Sequence, residues 1–122
     1  MTKLQLAQIR QRVRALKARR STLERVAMGH HPMVAASLIR RQFRPGGPVY
    51  HYLSIPTPEN IAWHMYVRKD RLDYYRRHAA HWREFVHAMA EWVTVNKEIE
   101  RLLRQLGKGR CEKLEIRRGK RR

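Results

Sequence analysis

Three observations predict an α+β protein in which two long helices, drawn as an antiparallel coiled-coil hairpin, flank a small three-stranded antiparallel β-meander ahead of a basic C-terminal tail. Apolar residues recur three and four apart in the first and last thirds of the chain. In the middle third they alternate singly, and proline and glycine clusters mark each change of period. At 122 residues the chain has the size of one small domain. Residues 1–106 are therefore expected to form that domain, and residues 107–122 the tail.

The first helix is expected over residues 2–28, where Leu6, Ile9, Val13, Leu16, Leu23 and Ala27 form one stripe broken only by Arg20. Thr2 is placed to cap its start. The run Gly29-His30-His31-Pro32 ends it, because glycine tolerates left-handed geometry and proline disfavours helix in the residue before it.

The meander is expected over residues 33–67. Alternation from Val34 to Ile39 reads as a first strand, leading through Arg40, Arg41, Gln42 and Phe43 into the turn Pro45-Gly46-Gly47-Pro48. Val49–Ile55 reads as a second strand with Val49, His51, Leu53 and Ile55 on one face. Pro56-Thr57-Pro58-Glu59-Asn60 interrupts it, and Ile61, Trp63, Met65 and Val67 define one face of a third.

The long helix is expected over residues 69–106, roughly 55 Å at about 1.5 Å per residue. Its seam is Leu72, Tyr75, Ala79, Trp82, Val86, Met89, Val93, Asn96, Ile99, Leu103 and Leu106, with Gly107 and Gly109 ending it. Asp70 and Asp73 suit its positive end. Such a seam wants a partner, either the first helix in an antiparallel two-helix coiled coil or a second copy in a dimer. Asn96, polar within the seam, suits a role in fixing register or oligomeric state.

Charge sets the expected function. The 28 Lys and Arg against 10 Asp and Glu leave a net charge of +18, an excess commonly tolerated when phosphates or anionic lipids neutralise it. Three Trp, five Tyr and two Phe argue against a wholly disordered basic chain. Arginines outnumber lysines, and a planar guanidinium binds phosphate bidentately and stacks on bases, which favours nucleic acid as the partner. The expected contacts are Arg10, Arg14 and Lys17 on the first helix, and Arg40, Arg41 and Arg44 on the sheet. Arg68, Lys69, Arg76 and Arg77 follow at the sheet-to-helix joint, then Arg117, Arg118, Arg121 and Arg122 in the tail. Tyr50, Tyr52, Trp63 and Tyr66 interleave with the sheet arginines; of these, Tyr50 and Tyr52 are candidates for base stacking, and Trp63 is expected to be core.

Other classes are less well supplied. No glycine-rich phosphate loop, nucleophile elbow or zinc-protease helix occurs, so no catalytic residue, cofactor or enzyme is expected. The histidine pairs His78/His81 and His30/His31 lack the carboxylate or thiolate partners of a metal site, and none is expected. The single Cys111 rules out an internal disulfide framework. With no run of 18 apolar residues, a cytoplasmic protein associated with nucleoid or ribonucleoprotein, and not with membrane, is the expectation. The Arg-rich first segment could imitate a targeting peptide, but its heptad stripe reads as a structural helix.

Four segments carry a family resemblance: Ser37-Leu38-Ile39-Arg40-Arg41, Gly47-Pro48-Val49-Tyr50-His51-Tyr52-Leu53, Tyr66-Val67-Arg68-Lys69, and Tyr75-Arg76 through Asn96-Lys97-Glu98. In this order, within residues 33–106, the chain resembles small bacterial and archaeal proteins of unknown function that recur near transposons. Those proteins usually carry a cysteine-rich knuckle before the Gly-Pro-Tyr segment. Here Phe43-Arg44-Pro45-Gly46 stands in its place, and no zinc knuckle carries over. The resemblance implies an accessory protein of a mobile element and supplies no catalytic residue. The expected partner is thus DNA, or else structured RNA, contacted through phosphates. The alternative is a scaffold subunit of a ribonucleoprotein or effector complex that docks a protein partner on the long-helix seam.

Overall fold

The computed structural model describes residues 1–115. The fold is α+β, with two helices and a three-stranded antiparallel sheet. Helix α1 spans Lys3–Ala27. Strands β1 (Ser37–Gln42), β2 (Val49–Ile55) and β3 (Trp63–Val67) pair in the order β1-β2-β3, and a 3₁₀ turn at Lys69–Arg71 leads into α2, Leu72–Arg110. The chain divides into two compact units, one of Met1–Thr22 with the chain from Trp92 onward, the other of Leu23–Glu91.

In the first unit, α1 starts from a reciprocal cap. The Thr2 backbone N–H donates to Gln5 Oε1 (2.8 Å), and the Gln5 N–H donates to Thr2 Oγ1 (3.1 Å). Val13 and Leu16 are buried as the stripe predicts, and so are Val95, Ile99 and Leu102 of α2. The two polar breaks in the stripes meet: Arg20 Nη1 donates to Asn96 Oδ1 at 3.1 Å. At the other end of α1, a Cβ built on Gly109 would lie 2.8 Å from Leu6 Cδ2 and 2.8 Å from Met1 Sδ.

In the second unit the sheet packs one face on α2. Ala36, Leu53 and Val67 form its buried centre, Leu53 only 1% exposed, with Val34, Leu38, Ile55, Leu72 and Tyr75 packed around them. The Val34 N–H donates to the carbonyl of His78 (3.0 Å), tying the segment before β1 to α2. The turns use left-handed backbone at Gly46 (φ 70°) and Asn60 (φ 61°), residue types that accept it.

Four expectations need correction. The α2 seam drifts one position: Ala88, Val95 and Leu102 are buried, and Phe85 and Trp92 half-buried, whereas Val86 (41%), Met89 (36%), Val93 (43%) and Leu103 (49%) are exposed. Between Trp82 and Val93 apolar residues occur on every side of the helix, so periodicity alone does not select the face. Second, α2 continues through Gly107 and Gly109 to Arg110, which shortens the expected tail. Neither glycine takes the left-handed geometry that would stop a helix, and each costs only about 1 kcal/mol inside one.

Third, β1 begins at Ser37, not Val34, because Val34 and Ala36 are used to pack on α2; the strand extends over Arg40 and Arg41, which an edge strand can solvate. Fourth, β3 begins at Trp63 instead of Ile61, and Trp63 is 68% exposed, not core. It shares a face with Val67, but it opens an edge strand at the end away from Leu72 and Tyr75.

The corrected seam is testable on adjacent residues. Leu102→Ala should cost about 2–4 kcal/mol in urea unfolding and Leu103→Ala less than about 1 kcal/mol. A double-mutant cycle on Arg20→Ala and Asn96→Ala should return a coupling of about 1–2 kcal/mol, as for a part-buried hydrogen bond from a charged donor.

Candidate nucleic-acid interface

Strand register sorts the sheet's side chains. Arg41 pairs with Tyr50, Ile39 with Tyr52, Tyr52 with Tyr66 and Ser54 with His64, so these residues share the face opposite Leu53. On that face Tyr50, Tyr52 and Tyr66 form a cluster with Phe43 of the β1–β2 turn. Ring centroids lie 5.9 Å (Phe43–Tyr50), 6.5 Å (Phe43–Tyr52), 6.3 Å (Tyr50–Tyr66) and 5.7 Å (Tyr52–Tyr66) apart. Phe43, Tyr50 and Tyr66 are exposed and Tyr52 is half-buried.

Arg41 reaches across this face. Its guanidinium carbon lies 5.6 Å from the centre of the Tyr52 ring, and Nη2 lies 3.0 Å from His64 Nδ1. Since the guanidinium can only donate, the imidazole nitrogen accepts. Both arginine partners are neutral in that arrangement, so the positive charge is held in place without being cancelled.

The predicted contact residues are distributed over both units. Arg10, Arg14 and Lys17 are exposed on α1 in the first unit. In the second, Arg40 projects from the face of β1 opposite to Arg41, since it pairs with His51; the two neighbours do not act on one surface. Arg44 is exposed in the β1–β2 turn, where its carbonyl accepts from the Gly47 N–H at 3.0 Å. Arg68 lies 3.4 Å from Asp70 and Arg76 3.0 Å from Asp73, while Lys69 and Arg77 are exposed. Arg117, Arg118, Arg121 and Arg122 lie outside the described residues.

Sequence reasoning missed Phe43 and His64 as parts of the aromatic face, and it saw Tyr66 among the sheet aromatics without selecting it as a stacking residue. Alternation alone placed Tyr50 with Tyr52, but joining Tyr66 to them requires the β2–β3 register. Arg71, one of the basic residues that the sequence clusters at the sheet-to-helix joint, stands over Tyr74 at 4.3 Å and near Tyr75 at 5.6 Å, a pairing that the sequence did not reveal.

A groove of about 610 Å³ opens at one end of the sheet, lined in part by Pro48, Tyr50, His51, Tyr66 and Lys69. Its volume falls in the range of small-molecule sites. The histidine pairs expected from sequence separate. His78 stacks on Tyr74 at 4.0 Å, while His81 stacks face to face with His31 at 4.2 Å. Among the described residues no three His, Cys, Asp or Glu side chains are grouped to hold a metal, and no helix is long and apolar enough to cross a membrane.

The exposure of Trp63 has a direct optical readout, because Trp82 and Trp92 are half-buried. Trp63→Phe should remove most of the acrylamide-quenchable tryptophan emission while changing stability by less than about 1 kcal/mol. Comparison with family models, curated proteins and solved structures finds no match to this chain.

Proposed function

We propose that this chain is a non-enzymatic nucleic-acid-binding protein that holds phosphates with arginines of its first helix, its sheet-to-helix joint and its basic tail. The finer architecture that goes with this reading is an antiparallel coiled-coil hairpin of α1 and α2 carrying the sheet, with Arg20–Asn96 and Leu6–Gly109 as contacts that suit it. DNA is the favoured partner and structured RNA the other. An accessory role in a mobile element follows from the family resemblance. A cytoplasmic location beside nucleoid or ribonucleoprotein suits both partners.

The supporting observation is uncompensated charge. Ten acids can neutralise ten of the 28 cations at most, leaving eighteen positive charges even with every acid paired. Several acids are already used locally, Glu98 by Arg101 (2.6 Å) and Glu100 by Arg104 (3.0 Å). The hydrogen bonds from Arg101 hold the Glu98 carboxyl below its ordinary range and raise the guanidinium's own pKa. Arg10, Arg14, Lys17, Arg40, Arg41, Arg44, Lys69 and Arg77 are all exposed.

A second reading, a scaffold subunit docked through α2, draws on the exposure of apolar side chains along that helix. Val86 and Met89 are uncovered in one unit, and Val93 and Leu103 in the other. Under this reading they meet a partner helix or a second copy.

Binding through phosphates releases counterions, so Kd should depend steeply on salt. Anisotropy titrations of labelled duplex DNA at 50 and 200 mM salt should show weakening of about 10²-fold or more, with a matching titration of folded RNA to compare the partners. A flat salt response would rule out the electrostatic mechanism. Arg10→Glu with Arg14→Glu should weaken binding while leaving the unfolding midpoint nearly unchanged.

A further inference from the structure

The open face of the sheet combines three properties that a simple phosphate-binding surface does not need. It is aromatic, with Phe43, Tyr50, Tyr52 and Tyr66 in mutual contact. It is open at three of its four rings, Phe43 being 66% exposed, Tyr66 50% and Tyr50 37%, while Tyr52 is half-buried. It is also free of carboxylates: the strand positions that share the face with the tyrosines are Ser37, Ile39, Arg41, Ser54 and His64.

We infer that this face binds an unpaired polynucleotide strand, stacking successive bases on Tyr66, Tyr50 and Tyr52 and holding the flanking phosphates with Lys69 at one end and Arg41 at the other. The inference rests on the nucleic-acid reading above and adds the state of the strand to it. Phosphate contacts alone do not separate duplex from single strand, but ring faces do. In a duplex each base is already covered above and below by its neighbours, whereas an unpaired base has faces free to stack on a side chain.

The geometry suits such a strand. Tyr50 and Tyr66 belong both to the ring cluster and to the groove at the sheet's end, so the platform runs without interruption into a recess that Lys69 and His51 help to line. Arg41 lies beside the opposite part of the platform, near the Tyr52 ring and bonded to the neutral nitrogen of His64. It therefore keeps a full positive charge at a fixed place. Positive groups beside sequence-tolerant stacking surfaces are the combination that unpaired strands require. The absence of carboxylates at the face positions removes the repulsion that a phosphate backbone would otherwise meet.

The test uses the full chain in fluorescence anisotropy with three probes at one salt concentration: a dT 20-mer, a rU 20-mer and a 20-base-pair duplex. The Tyr50→Ala/Tyr66→Ala variant should bind the single strands more weakly by about 30-fold or more, since each lost stacking ring costs about 5-fold or more, and bind the duplex within about 2-fold of wild type. Tyr50→Phe/Tyr66→Phe, which keeps the rings, should restore single-strand affinity and serves as the control for a folding defect. Lys69→Ala should weaken the single strands more than the duplex.

A larger loss on dT than on rU, or the reverse, supports the inference and shows which of the two strands the platform stacks better. An alanine variant that binds dT and rU as tightly as wild type, or that loses single strands and duplex equally while its melting curve is unchanged, overturns it. If the wild type binds the duplex but neither single strand, this inference falls and the phosphate-binding reading stands. If it binds none of the three, both fall.

Discussion

The organising constraint in the second unit is the burial of Leu53 with Ala36 and Val67 beneath Leu72 and Tyr75. Leu53 lies in the central strand, and side chains alternate faces along a strand, so committing Leu53 to the helix side commits Tyr50 and Tyr52 to the other. A one-residue slip would bury two phenols and expose the most deeply buried side chain of the core. Register is therefore strongly specified here. The aromatic face is a consequence of the same packing that makes the sheet stable: two of the three β2 residues that point away from the core are tyrosines, Ser54 being the third, and β3 contributes Tyr66 opposite Tyr52.

The first unit handles polarity in a related way. Arg20 interrupts the stripe of α1 and Asn96 interrupts that of α2, and a guanidinium-to-amide hydrogen bond joins the two. A carboxylate at position 96 would have cancelled the charge; the amide satisfies a donor and leaves the charge in place. Arg41 is held likewise by the ring of Tyr52 and the imidazole of His64. At these two sites, arginines are positioned by neutral partners, so order is gained without lowering the net positive charge of the chain.

The legible part of the fold was the part with one unambiguous period. In α1 the residues read as a stripe are those buried or half-buried, from Leu6 to Ala27, and Thr2 caps the helix as its position suggested. The three strands were recognisable by alternation, although their starts were displaced wherever an apolar residue served a different contact, as Val34 does with His78. The α2 seam was misread where Phe85, Val86, Ala88, Met89, Trp92 and Val93 offer two apolar faces. Side-chain size drew the reading to Met89, whereas the structure buries the smaller Ala88. In the candidate site, Tyr50 and Tyr52 were legible from their spacing. Tyr66 was visible beside the arginines, but its place in this ring cluster, like the membership of His64 and Phe43, was not legible, because it depends on pairing between segments and on the course of a turn. Trp63 shows the converse limit: its parity was right, yet a residue on the core side of an edge strand is buried only if something lies over it.

An uncovered aromatic sheet face carries a hazard that bears on the arginines around it. Three-stranded sheets end in two open edges, and an exposed apolar face beside an open edge invites pairing with another chain. Here the β1 edge carries Arg40 and Arg41 in succession, and β3 is only five residues long and runs into Arg68 and Lys69. Two such edges approaching each other would bring like charges together, since neither strand carries a carboxylate and Asp70 beside Arg68 is the one acid next to them in sequence. The basic residues that suit a phosphate backbone thus also oppose self-association of the tyrosine platform. Replacing them with neutral residues would weaken this protection and, under the reading proposed above, the phosphate contacts as well, so sheet edge and proposed ligand surface place the same demand on these positions.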